Sequence, residues 1–137
     1  MSAAPATRRC RDSEVQNTLA ATLLKWEGAP DTAFFRAQAW SQVDEVSGDA
    51  FTALGDGEPR FRVDVTVPEG ALSQRRKEGL VSEATANVLT AAGLTEADAL
   101  RVWVLIHEQP EGTWGAGASI VRFAELAALA KAEHANA

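Results

Sequence analysis

The sequence predicts an α+β fold: two tandem β-α-β units forming a mixed sheet with helices packed on one face. Three observations carry that expectation. Residues 60–67, RFRVDVTV, alternate apolar and polar, which suits a half-buried strand. A capped, periodic helix and then a nearly continuous apolar run, LRVWVLIH, follow it. The first half of the chain repeats the second at a spacing of 65 residues, then 63. A length of 137 residues suits one domain with a real core. The organisation expected is a flexible tail at 1–12 and a single domain at 13–137, with units of about 13–59 and 60–137.

Taken in order, residues 1–12 show no apolar period and read as the tail. Residues 13–28 read as a helix, with Ser13 able to cap it, Glu14 in its first turn and Gly28 at its end. Val15, Leu19, Leu23 and Trp26 form its apolar stripe. Ala29-Pro30-Asp31 breaks the pattern. Residues 34–46 alternate over part of their length and read as a strand, and 47–59 are turn-rich. After the strand at 60–67, Pro68-Glu69-Gly70 marks a turn. Residues 73–92 form a helix capped by Ser73 and closed by Gly93, burying Leu80, Ala84, Val88 and Leu89. Gly79 inside it costs about 1 kcal/mol against alanine, which predicts a close packing contact there. The strand at 100–107 leads to a glycine-rich hairpin or loop and a last helix over 119–133, with Ile120, Phe123, Ala127 and Ala130 on one side. Trp40 and Trp103 are expected in the core.

The repeat sets the topology. Shifted by 65, Leu23, Leu24 and Gly28 fall on Val88, Leu89 and Gly93. Shifted by 63, Trp40, Glu45 and Phe51 fall on Trp103, Glu108 and Trp114. The two-residue difference lies in a loop, where length changes are tolerated. The halves should therefore be related by a pseudo-twofold rotation. The opening strand of the second unit has no counterpart in the first, so that strand is expected to be absent or replaced by the tail.

Composition narrows the function. A net charge of −6 argues against nucleic-acid and anionic-membrane partners, which need a basic face. The single cysteine, Cys10, and two histidines, His107 and His134, leave no metal-ligand set. No apolar run approaches a membrane span and no signal-like apolar region follows the early arginines, so a cytoplasmic location is the default. No phosphate loop or dinucleotide fingerprint is present, and no cofactor is expected. The basic run Gln74–Lys77 reads as a solvated helix face.

RFRVDVTVPEGALS with its helix, the strand LRVWVLIHEQP and the turn EGTWGAG together resemble the tautomerase superfamily. The likeness is to 4-oxalocrotonate tautomerase and to fused two-unit relatives such as cis-3-chloroacrylic acid dehalogenase, over about residues 13–120. The resemblance implies a homotrimer in which sheets face a shared centre. It also implies a small carboxylic acid ligand and isomerisation of enol, keto or unsaturated acids by a neutral amino-terminal proline. Arginines in such sites grip carboxylates with paired hydrogen bonds. Here Ser2 follows Met1, the nitrogen of Pro5 is an amide, and Ala71 stands where the family often has arginine. The departures imply an activity that is weak or lost. On the same resemblance, Arg101 and Arg36 are candidate carboxylate ligands and Trp114 a candidate pocket wall. His107, ending an apolar strand, is either a hydrogen-bonded structural residue or an acid–base group. Two other readings stay open: a catalytically silent structural or regulatory subunit, and an unrelated ferredoxin-like module for a small ligand.

Overall fold

The structure, a computed structural model, describes residues 6–135. Four helices and four strands follow one another: α1 (Ala6–Glu27), α2 (Ala33–Gln38), β1 (Phe61–Pro68), α3 (Gln74–Ala92), β2 (Val102–Gln109), β3 (Gly115–Ala116), β4 (Ser119–Ile120) and α4 (Phe123–Ala135). A 3-10 helix, Glu96–Arg101, leads into β2. The fold is α+β, with a β-α-β unit at its centre.

That unit is the second half of the repeat. β1 and β2 pair in parallel, from Phe61 opposite Val102 to Pro68 opposite Gln109. Parallel strands need a crossover, and α3 supplies it. Ser73 caps α3 by accepting the Arg76 amide at 3.2 Å, and Gly93 closes it at φ 70°, a left-handed conformation that glycine adopts without strain. Val65 and Val67 turn inward with Ala71, Leu72 and Leu80, and Leu23, Trp26 and Phe123 pack against them. Val88, Leu89 and Val102 make a second cluster with Leu19 and Phe61. The alternation in RFRVDVTV thus places its valines under the helices and Arg62, Asp64 and Thr66 on the open face.

The helices of the two halves carry the repeat down to single hydrogen bonds. α1 closes with Gly28 donating to the Lys25 carbonyl at 3.1 Å and Ala29 to Leu24 at 3.0 Å. Sixty-five residues on, Gly93 donates to Thr90 at 3.2 Å and Leu94 to Leu89 at 2.9 Å. Gly28, at φ 72°, matches Gly93. Where α1 meets α3, Asn87 donates to the hydroxyl of Thr22 at 2.9 Å, and the two residues are 65 apart. Equivalent positions meet each other only near a twofold axis, so this bond marks the pseudo-twofold between the helices. Gly79 sits against Trp26, where a Cβ would come within 2.3 Å of the ring. The close contact expected at that glycine is present.

The first half departs from the expectation in its strand. Residues 34–46 form no strand: Ala33–Gln38 is helical, and 39–47 run without regular structure. A strand requires a ladder partner, because its unpaired backbone groups are otherwise left to solvent. The partner in this repeat is the opening strand of unit one. Among the described residues that strand is absent, and β1 pairs with β2 alone. Among the described residues the alternation in 34–46 therefore has no ladder to hold it extended. Trp40, expected in the core, is 89% exposed for the same reason. Trp103, also expected inside, is 65% exposed, because it stands on the open face of the sheet.

Smaller differences lie at the ends of elements. α1 starts at Ala6, so residues 6–12, expected as tail, are helical, and Ser13 lies inside the helix. Residues 1–5 of the expected tail lie outside the described residues. Alanine and arginine are good helix formers and extend the helix past the polar residues that would cap it. The last helix begins at Phe123, since Ser119–Ile120 pairs with Gly115–Ala116 as a short antiparallel hairpin.

Candidate functional site

An open groove of about 3020 Å³ runs between the halves. The end of α1, the 34–51 segment, β1, the start of α3, Trp114 and α4 wall it. Among the described residues β1 pairs with β2 alone, and its other edge and the 39–47 segment both belong to the groove wall.

The four residues expected to form a site do not converge. Trp114 lines the groove, half-buried beside the β3–β4 hairpin, where its carbonyl accepts the Val121 amide at 2.8 Å. Arg36 lies on α2, exposed and paired with Asp31 at 3.2 Å. Arg101 lies at the entry to β2, held by Glu58 at 3.6 Å and Asp98 at 3.4 Å. His107 is on the open sheet face, its Nε2 2.9 Å from Asp64 Oδ1. Asp64 also takes the guanidinium of Arg62 at 3.0 Å. Its hydrogen bond with His107, supported by Arg62, holds its carboxyl below the usual carboxylate range. Both arginines therefore have their charge met within the chain, and His107 stands apart from the groove wall.

Two residues outside that set define the end of the groove. Glu27, the last residue of α1, lines it. Burial pushes its carboxyl up to about 7, since a desolvated carboxylate prefers its neutral form. Arg76, in the first turn of α3, lines the same end and donates from Nη1 to the Glu27 carbonyl at 3.1 Å. Its guanidinium lies against Gly28, 3.2 Å from the point a Cβ would occupy. No carboxylate among the described residues pairs with Arg76, in contrast to Lys77 beside it, which holds Glu108 at 3.0 Å. From α4, His134 Nε2 lies 3.0 Å from the Gly28 carbonyl, and Lys131 adds a further cation to the wall.

The basic run Gln74–Lys77 is thus only partly a solvated face, because Arg76 is drawn inward. A signal for both residues was present in the sequence. An acid at the C-terminal end of a helix and a base at the N-terminal end each oppose the helix dipole. Glu27 and Arg76 both stand at the unfavourable end.

Comparison with solved structures fits the geometry. A structure described as R7 fused 4-OT wild type asymmetric trimer matches with a TM-score of 0.64 at 15% identity, covering 87% of this chain and 89% of that one. The F6 fused 4-OT wild type asymmetric trimer matches with a TM-score of 0.64 at 14% identity, over the same shares of the two chains. The chain has the fold of the fused 4-OT proteins. No family model matches the sequence, and no curated protein matches it. The likeness spans both halves of the repeat, so the fused 4-OT fold covers the irregular first unit as well as the regular second one. Among the described residues no helix is long and apolar enough to cross a membrane.

Proposed function

We propose that this chain is a tautomerase-like protein that assembles as a homotrimer and binds small enol, keto or unsaturated carboxylic acids, isomerising them weakly. The observation that carries this reading is the likeness to fused 4-OT trimers over 87% of the chain. Two features agree with it. The open sheet face exposes Trp103, 65% accessible, beside Leu105, next to the Arg62, Asp64 and His107 cluster, a mixed surface that a neighbouring copy would cover. The groove between the halves joins an apolar wall, including Trp114, to cationic groups suited to a carboxylate.

In this reading Trp114 is a wall of the ligand site. Arg36 and Arg101 serve mainly as partners of their own carboxylates, and His107 orders the open face through Asp64. Cytoplasmic residence belongs to the same proposal.

The test pairs ketonisation of phenylpyruvate, followed in the ultraviolet, with light scattering. The expected result is slow turnover by a species of three 14.6 kDa chains. A trimer without turnover would instead favour a silent structural subunit. A stable monomer would contradict the trimeric reading.

A further inference from the structure

We propose that the groove end formed by the C-terminus of α1, the first turn of α3 and the last turns of α4 is a proton-transfer site for small 2-keto and enol carboxylic acids, with Arg76 anchoring the substrate carboxylate and Glu27 moving the proton. This rests on the tautomerase-like reading and adds the groups that would act in it.

The two residues complement each other in what they lack. The carboxylate of Glu27 lines the groove with no cation among the described residues within ion-pair distance of it. Among the described residues Arg76 has no carboxylate partner, and its guanidinium donates to a backbone carbonyl. That bond, at 3.1 Å, and the contact with Gly28 fix the plane of the guanidinium. The remaining N–H donors are then free for a planar anion, which a guanidinium grips in paired fashion. Any side chain at Gly28 would press on the guanidinium, and its φ of 72° already favours glycine. The guanidinium is thereby tied to the backbone of Glu27 and Gly28, at the groove end that the Glu27 side chain also lines.

The chemistry balances within the site. A bound enol loses its hydroxyl proton to the Glu27 carboxylate. The oxygen–carbon bond becomes a carbonyl, and the carbon–carbon double bond supplies the electron pair that takes a proton at carbon from the Glu27 carboxylic acid. One O–H bond breaks, one C–H bond forms, and nothing is oxidised or reduced. A group titrating at about 7 is populated in both forms at neutral pH, as one residue serving first as base and then as acid requires. The charged and titratable groups at this groove end are Arg76 from α3 and Lys131 and His134 from α4, with Glu133 between the last two in sequence, and burial alone raises the Glu27 carboxyl. Glu133 accepts from Thr32, which leaves it engaged away from the anchor.

The experiment measures phenylpyruvate ketonisation and binding from pH 5 to 9 in the wild type, Glu27→Gln and Arg76→Ala, with circular dichroism to establish that each is folded. Glu27→Gln should lower kcat roughly 100-fold with KM nearly unchanged, and should remove the break in kcat near pH 7. Arg76→Ala should raise KM at least about tenfold with a smaller effect on kcat. Glu27→Asp, which keeps the titrating group, should retain the pH break at reduced rate. Wild-type kinetics in both variants would overturn the proposal while leaving the tautomerase reading intact. A wild type without turnover ends the enzymatic reading itself. The site is then judged by calorimetric binding of phenylpyruvate: weakening of about tenfold or more in Arg76→Ala upholds the anchor, and equal or absent binding overturns it.

Discussion

Replacing Gly79 with alanine sets two effects of opposite sign against each other. Alanine in a helix interior is favoured over glycine by about 1 kcal/mol. Against this, the added methyl would stand 2.3, 2.4 and 2.6 Å from Cη2, Cζ3 and Cζ2 of Trp26. All three are ring carbons, and the ring has no soft end to yield. Trp26 is itself pinned between α1 and α3, with the Lys25 ammonium 5.2 Å from its ring centroid. Overpacking of this kind costs about 1–3 kcal/mol, and the rigid ring places the cost near the top of that range. The net expectation is a loss of about 2 kcal/mol in the stability of Gly79→Ala, measured by urea denaturation. Shrinking the ring should return the helix gain: Gly79→Ala introduced into a Trp26→Leu background should be neutral or stabilising, a coupling of about 2 kcal/mol across the cycle. A single Gly79→Ala variant as stable as the wild type would refute the α1–α3 packing, and with it the pseudo-twofold read from that interface.

Three further outcomes follow from the same geometry. Asn87→Ala removes the amide that donates to the hydroxyl of Thr22, 5% exposed, and should cost about 1 kcal/mol by denaturation, whereas Thr22→Val combined with Asn87→Leu should recover much of it. Glu27 titrates at about 7 in the folded chain against about 4.5 unfolded, so the folded state holds the proton more tightly and stability falls as pH rises from 4.5 through 7. Glu27→Gln should therefore match the wild type near pH 4 and exceed it at pH 8 by about 1–3 kcal/mol in thermal unfolding, less than the full shift because the groove is open to water. His107→Ala removes the main group holding the Asp64 carboxyl down, so the Asp64 midpoint followed by carboxyl carbon NMR should move up toward the ordinary value.

The fold was legible where local and long-range signals agreed. RFRVDVTV carries its alternation, its turn and the capped helix after it within one stretch, and each became the expected element. The repeat was legible because αL glycines and the apolar helix positions recur with them at one spacing. Residues 34–46 have a strand-like pattern too, yet pattern alone forms no ladder, and among the described residues no strand pairs with that segment. Trp40 and Trp103 looked like core because aromatics usually are, but where they point depends on which sheet faces are covered. For the candidate site, Trp114 was the one expected residue that reached the groove. Arg36 and Arg101 kept no free charge, because Asp31, Glu58 and Asp98 stand close enough to claim it, and such pairings are invisible in spacing. Glu27 and Arg76 are 49 residues apart and meet only because the two helices pack antiparallel across the axis. Their one sequence signature was a charge at the wrong end of each helix.

A backbone amide NMR titration of the full chain with phenylpyruvate tests the placement of the ligand at the groove end. The largest shifts should fall on Gly28, Arg76 and His134, at the groove end where the two halves meet. Shifts centred on Arg101 or His107, or none anywhere in the spectrum, would contradict it.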